Sequence, residues 1–340
     1  MRITFIDKVT NITSKSLDYK AIDSNQKKII FFAKELVKRN HIVTVINQNQ
    51  RNINQDGICW TYLKEAKNIS SDILIAIQDP WLLDNNFDVK KKILWLVGTY
   101  SSSDYKDLLL LLLKKDCKII YDNHFLIDIL PHNFRVVPKY FLGNGVSENY
   151  FNVIPRKSGD CNALVTTHPL RGLDWLIDVW SKFIHNKIPW AELHVYSKLL
   201  SRGGWSKNTK INNLKLKLYS FRNNGIIIKE PLPCNNFLRV LPQYKVHLNP
   251  SNYNDTSILT LLESQAAGIP IISRTSNIIY NSIFDNETGY ITDNKEKFSL
   301  KTVNLLSDGK LFNQISRNAK LNTNIKPWKE ICDNFERFFL

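Results

Sequence analysis

The sequence predicts an α/β protein built on doubly wound, largely parallel sheets, and three observations carry that reading. The chain opens as strand, helix, strand over residues 2–6, 25–39 and 41–46. A second stretch, 244–273, runs strand, polar loop, helix, strand. Elsewhere short apolar runs alternate with helical patterns, the order that gives parallel strands joined by crossover helices. With 340 residues there is enough chain for two such domains, each with its own core.

Taken in order, residues 2–6 (RITFI) form a short buried strand. The 25–39 helix carries Ile29, Ile30, Phe32, Ala33, Leu36 and Val37 on one side. Strands follow over 73–77, 93–97, 118–121 and 134–137. Asp79-Pro80-Trp81 closes the first of these at the edge where α/β proteins form sites. The leucine run 108–113 is followed by Lys114-Lys115 and reads as a buried helix. His124 follows the strand ending at Tyr121 and is the imidazole of this half placed for a site, although a lone histidine is more often structural. Residues 149–160, with Pro155, Lys157, Ser158 and Gly159, read as a linker.

Beyond the linker, a strand over 163–167 leads through Thr167-His168-Pro169-Leu170-Arg171-Gly172-Leu173 into a helix over 174–184. A strand over 226–228 follows, leaving through Lys229-Glu230-Pro231-Leu232-Pro233. A helix over 237–241 leads to the strand at 244–248. The loop Ser201-Arg202-Gly203-Gly204-Trp205 fits a flap and a plain surface turn equally. The last segment, from Pro327, is an amphipathic helix with Trp328, Ile331, Phe335, Phe338 and Phe339 on its apolar face. Packing onto the first domain and lying on a membrane surface both suit it, and packing is preferred.

Composition narrows the partners. No segment is long and apolar enough to span a bilayer, and residues 1–9 read as a strand rather than a signal peptide. The five cysteines are scattered and form no CxxC, which fits a reducing cytoplasm and argues against a disulfide framework or a zinc site. The formal net charge is +15. A compositional bias toward lysine, a basic face resting on anionic lipid, and a nucleic-acid partner all account for it. The bases are spread along the chain, with Lys90-Lys91-Lys92 as the one tight cluster, and no nucleic-acid motif is present, so nucleic acid ranks last.

The chemistry concentrates in 254–272, NDTSILTLLESQAAGIPII. Asn254-Asp255-Thr256-Ser257 is rich in helix-capping residues, Ile258, Leu261, Leu262 and Ala266 follow at helical spacing, and Gly268 and Pro270 end the run. A helix start presented this way is suited to a phosphate. Asp255 lies at its mouth and Glu263 eight positions on. Were all eight steps helical, the two acids would stand roughly 12 Å apart, the length of an extended nucleotide diphosphate. An ordinary cap with a solvated helix glutamate accounts for the pair as well.

The wider string, HLNPSNYNDTSILTLLESQAAGIPII, resembles the donor-binding signature of retaining GT-B glycosyltransferases of the E-x7-E, or group 1, type. Glu263, Ala266, Ala267, Gly268 and Pro270 match, while the first acid is Asp255 in place of Glu. Residues 34–45 track the family's opening unit, with Asn40 in place of Gly, and Gly143-Asn144-Gly145-Val146-Ser147 resembles the motif that ends its first domain. Arg171-Gly172-Leu173, followed by 189–196, resembles the start of its second. The resemblance implies two Rossmann-like doubly wound domains facing across a cleft: an acceptor domain over 1–152, a linker over 153–160, a nucleotide-sugar domain over 161–322, and a C-terminal helix, 323–340, returning to the first.

It further implies transfer of a sugar from a nucleotide-diphosphate donor, such as a UDP- or GDP-sugar, to a glycan or lipid-linked acceptor with retained configuration. It implies no metal, in keeping with the lack of any D-x-D, and no other cofactor. Arg171 would neutralise the diphosphate, the amides of Thr256, Ser257 and Ile258 would bind it, Glu263 would hold the ribose and Asp255 the sugar. Thr167 and Pro231 would line the donor site, Ser24 and Asn25 would reach it from the first domain, and His124 would sit in the acceptor cleft. The chain is expected in the cytoplasm, either free there or peripheral on the inner face of the membrane. Two departures stand out: Asp23-Ser24-Asn25-Gln26 replaces a Gly-Gly pair, and Val97-Gly98-Thr99 stands where a His-Asp is usual. They leave open a non-catalytic scaffold that binds nucleotide or partner proteins without turnover.

Overall fold

The computed structural model describes residues 1–101, 104–155, 161–252, 258–276, 279–280 and 282–340. They form two compact units, Met1–Gly145 with Lys326–Leu340, and Val146–Ile325. The second unit thus begins earlier than the linker predicts. The reason is Tyr150, which is 1% exposed with its hydroxyl 3.5 Å from Cys234 Sγ, inside that unit.

The first unit runs β1 (Arg2–Ile6), α1 (Ser16–Tyr19), α2 (Ser24–Lys38), β2 (Ile42–Asn47), β3 (Ile53–Gln55), β4 (Ile58–Tyr62), β5 (Ser70–Ile77), β6 (Asp88–Leu96), α3 (Tyr105–Lys114), β7 (Cys117–Tyr121), α4 (Phe125–Asp128) and β8 (Lys139–Phe141). Its sheet has the order β3-β4-β2-β1-β5-β6-β7-β8. Every pair is parallel except β3–β4, a hairpin turned by Asp56 and Gly57 at φ 52° and 75°, the left-handed pair that a two-residue hairpin requires. Asp23 starts α2 with a capping box: its side chain accepts from Gln26 N at 2.9 Å, and Gln26 Oε1 accepts from Asp23 N at 3.2 Å. Asn40 ends α2 at φ 64°, with Asn40 N bonded to Val37 O and His41 N to Leu36 O, so it takes the left-handed place a glycine often fills.

Two expectations fail here. Residues 134–137 form no strand. His132–Val136 is a 3-10 turn, and the strand comes later, at β8, because Pro138 intervenes. The leucine run buries one face only: Leu108, Leu111 and Leu112 are inside, while Leu110 and Leu113 are exposed on α3, as helical periodicity requires for a surface helix.

After β9 (Gly145–Val146) the second unit runs α5 (Glu148–Phe151), β10 (Asn162–Val165), α6 (Leu173–Val179), β11 (Glu192–Tyr196), α7 (Lys198–Ser201), α8 (Thr209–Ser220), β12 (Ile226–Lys229), α9 (Cys234–Val240), β13 (Tyr244–Asn249), α10 (Leu259–Ala266), β14 (Ile271–Ser273), β15 (Gly289–Ile291), α11 (Lys295–Ser307) and α12 (Gly309–Lys320). The sheet order is β12-β11-β10-β13-β14-β15, parallel throughout. Counted within the unit this is 3-2-1-4-5-6, the doubly wound Rossmann order, with its reversal between β10 and β13. A core of Leu176, Ile177, Trp180, Val195, Leu248 and Phe298 joins the helices to one face.

After β16 (Lys326–Pro327), α13 (Trp328–Phe339) packs on α2 of the first unit. Phe32 stacks on Trp328 at 5.8 Å and meets Phe335 edge-on at 5.1 Å. Arg39 pairs with Glu336 at 2.6 Å and with Asp333 at 2.7 Å. The apolar face is therefore spent on packing: Trp328, Ile331, Phe335 and Phe339 are all buried, and each large apolar side chain so placed contributes about 1.5–3 kcal/mol.

Candidate functional site

In an open parallel sheet, ligands bind beyond the carboxyl ends of the strands, where the strand order reverses. In the second unit that point lies between β10 and β13. The loop leaving β10 carries Thr166 to Arg171, and the loop leaving β13 carries Asn249 onward. The two lie against each other: a Cβ placed on Gly172 would come within 2.1 Å of the Pro250 carbonyl oxygen. Gly172 also sits at φ 88° as the residue before α6, so both its backbone angle and its neighbour demand glycine there. Arg171, the preceding residue, is half-buried, and its N–H donates to His168 O at 2.8 Å.

Two polar residues of β13 tie the loops together from below. His247 is fully buried. Its Nε2 lies 3.0 Å from Thr166 Oγ1 and its Nδ1 2.8 Å from Ser264 Oγ on α10. Burial pushes its pKa down to about 3, so the ring is a neutral strut. Asn249 makes the second rung: its Oδ1 accepts from Thr167 Oγ1 at 3.0 Å, and its Nδ2 donates to Ser273 Oγ at 2.9 Å on β14. Thr167 is thus fixed to the neighbouring strand. Arg274, just past β14, is occupied otherwise, with Nε on Asp293 at 2.9 Å and its guanidinium over the Trp175 ring.

α10 begins at Leu259 and Ile258 caps it, with Ile258 O accepting from the N–H groups of Leu261 and Leu262. It ends in a Schellman motif, with Gly268 N donating to Gln265 O and Ile269 N to Ser264 O. Of the eight steps between the two acids, the described helical part runs from Leu259 to Glu263, four steps of α10. Asp255, Thr256 and Ser257 lie outside the described residues. Glu263 is no solvated helix glutamate: it is 1% exposed and hydrogen-bonds the Tyr150 hydroxyl, whose pKa burial, and then Glu263, drive well above the usual tyrosine value. Pro231 is half-buried in the loop after β12.

The residues expected to contribute from the first unit lie on two segments, the start of α2 and the loop after β7. Ser24 and Asn25 are the first two residues of α2, so they belong to a capped helical turn, where the sequence reads a loop. His124 is exposed before α4, its ring stacked on Phe141 at 4.3 Å and edge-on to Tyr121 at 5.5 Å. Beside it in sequence, Asp122 forms a buried ion pair with Lys28 at 2.5 Å. Sequence reading missed His247, Asn249 and Tyr150. The signal for the first two was present: polar residues at alternate positions of an otherwise apolar buried strand, in VHLN.

No protein-family model matches the chain, and no curated protein does. Solved structures do. Sucrose-phosphate synthase from Thermosynechococcus elongatus is similar over 99% of this chain and 98% of its own, with a TM-score of 0.74 at 10% identity. HepE of Anabaena in complex with UDP and glucose is similar over 99% of both chains, with a TM-score of 0.74 at 10% identity. A glycosyltransferase from Rickettsia africae is similar over 99% of this chain and 97% of its own, with a TM-score of 0.73 at 15% identity. The fold is that of the GT-B glycosyltransferases. Within the second unit, then, the Arg171 loop and the exit of β13 at Pro250 lie at the switch point of that fold.

Proposed function

We propose that the protein is a retaining, E-x7-E-type GT-B glycosyltransferase that moves a sugar from a nucleotide-diphosphate donor to a glycan or lipid-linked acceptor. One observation carries this reading: the β10 and β13 exits meet backbone to backbone at the reversal of a parallel sheet, with Arg171 on one of them and the α10 helix start beyond the other. The complex of HepE with UDP and glucose lends support through the shared fold.

The chemical task is to stabilise a diphosphate that gains negative charge as the glycosidic bond breaks. Fixed groups do this at no cost of reorganisation. The Arg171 guanidinium supplies a permanent positive charge and can bond two phosphate oxygens at once. The N-terminus of α10 adds the partial positive charge of a helix start, and the amides of Thr256, Ser257 and Ile258, which precede it in sequence, bind the diphosphate. Glu263 holds the ribose hydroxyls, with Tyr150 orienting its carboxylate, and Asp255 holds the transferred sugar. Thr167 and Pro231 line the donor, Ser24 and Asn25 approach it, and His124 lies by the acceptor. The struts under the loops are neutral, so they hold geometry without competing for the phosphate. No metal enters this reading, and the sequence lacks the D-x-D that would hold one. The net charge of +15 and the free cysteines agree with a cytoplasmic protein resting on an anionic membrane surface.

The test is incubation with a panel of nucleotide sugars. Free nucleoside diphosphate is released from one of them, and Arg171→Ala lowers the rate by roughly two orders of magnitude or more, as the loss of one transition-state donor does. Glu263→Ala lowers it too, mainly through weaker donor binding. Tight nucleotide binding with no turnover on any donor or acceptor would falsify the enzyme reading.

A further inference from the structure

The first unit carries a pocket of about 220 Å³ beyond the carboxyl ends of β1, β5 and β6, lined by residues from Lys8 to Leu108. It lies where that sheet reverses, between β1 and β5. We propose that it binds a single pyranose ring, uncharged or bearing an amine, as the acceptor sugar. This assignment rests on the transferase reading above and names its acceptor class.

Three features point to that ligand. The first is Trp81, a residue 57% exposed while its backbone is fixed. Trp81 N donates to Asp79 Oδ1 at 3.0 Å, and the flanking Pro80 and Leu83 are buried. A held, exposed tryptophan offers a flat apolar face with an N–H at its rim. A pyranose offers the complement, one face of C–H groups and an edge of hydroxyls.

The second is charge. Asp79, Asp104 and Asp107 line the pocket against one ammonium, Lys8, which pairs with Asp79. On a chain of net charge +15 this is a locally acidic hollow. Carboxylates accept hydrogen bonds from hydroxyls and attract an ammonium, and they repel a uronate or a phosphate.

The third is size and rigidity. The volume falls below the roughly 300–1,000 Å³ of sites for drug-sized ligands, which suits one ring rather than a chain of them. The wall is preset: Gln78 stands at φ 59°, its Oε1 accepting from Val97 N at 3.0 Å and Gly98 N at 2.8 Å, and the Tyr100 hydroxyl donates to its carbonyl. Such a strained residue at a strand end marks a wall built for a purpose.

Saturation-transfer NMR on the full chain tests this with three probes: methyl glucoside, methyl glucosaminide and methyl glucuronide. Signal is expected from the first or second and not from the third. Trp81→Ala is expected to weaken it about three- to ten-fold, the range for one lost aromatic stack. Asp107→Asn weakens the amine probe more than the neutral one. In parallel, UDP and GDP are tested for raising the melting temperature of every variant. Silence of both the neutral and the amine probe, an equal glucuronide signal, or signals indifferent to Trp81→Ala overturns the pocket. Failure of both nucleotides to stabilise even the native chain, with sugar signals intact, counts against the donor reading alone.

Discussion

The two units solve the same problem in opposite ways. Both place loops at the reversal of a mostly parallel sheet and must hold those loops still. The second unit uses neutral struts and bare backbone: His247 and Asn249 as hydrogen-bonded rungs, and Gly172 against the Pro250 carbonyl. The first uses ions and caps: Lys28 with Asp122 under β7, Lys8 with Asp79 after β5, and the Asp23 box before α2. The difference teaches where charge is available. A scaffold of uncharged rungs holds the loop that carries Arg171, the cation to which the proposed function gives the diphosphate. A scaffold of paired ions around a hollow suits a ligand that carries no net negative charge.

Substitutions at four sites break or sharpen the contrast. The largest effect is expected from Lys28→Met, which strands the Asp122 carboxylate. Removing one partner of a buried pair costs about 3–5 kcal/mol, read as an earlier denaturant midpoint for the first unit. Already in the native protein, burial outweighs Lys28 and raises the Asp122 pKa, so restoring neutrality with Asp122→Asn in the Lys28→Met background should recover much of the loss.

Gly172→Ala comes next. A left-handed backbone costs an alanine about 1–2 kcal/mol, and the contact with Pro250 adds to it. Donor binding should fall along with stability, because the displaced loop carries Arg171. A Gly172→Ala protein that binds nucleotide as tightly as the native one breaks the claim that the two loops form one site.

His247→Gln should cost about 1–3 kcal/mol, the price of leaving buried partners half-satisfied. It also has a pH signature. The folded state keeps His247 neutral down to about pH 3, while the unfolded chain takes up a proton below about 6.5. The stability is fully present above that value and declines as pH falls below it, at up to about 1.4 kcal/mol per unit. Stability curves of the native chain and His247→Gln should converge between pH 6.5 and 4, and parallel curves would contradict the buried neutral ring.

The smallest effect belongs to Asp23→Ala, where loss of one cap costs about 1 kcal/mol. Hydrogen exchange should report it locally, in the first turn of α2.

Much of this architecture was legible because it rests on period and punctuation. The alternation of strands and helices, the β10-to-α6 passage around Arg171, and the Gly268 stop are local signals read directly from residue types. What escaped depends on partners far apart in the chain. Asp56-Gly57 turns a hairpin between β3 and β4, two short strands that are not among those expected from the sequence. Residues 134–137 alternate like a strand, yet Pro138 and the 3-10 turn move the strand beyond them. Glu263 looks like a surface acid at helical spacing, and only the distant Tyr150 explains its burial. The departures from the family pattern also find physical reasons: Asn40 replaces glycine at a left-handed position asparagine tolerates, and the Asp23 box closes the turn that a glycine pair would leave open.

The docking of α13 on α2 has a consequence for biosynthesis. The first unit takes its last layer from residues 326–340, which leave the ribosome after all of 146–325. While the ribosome is still making the second unit, the ring of Phe32 waits without Trp328 and Phe335, an apolar patch of the kind that draws nascent chains into aggregates. The half of the protein translated first is therefore the half completed last.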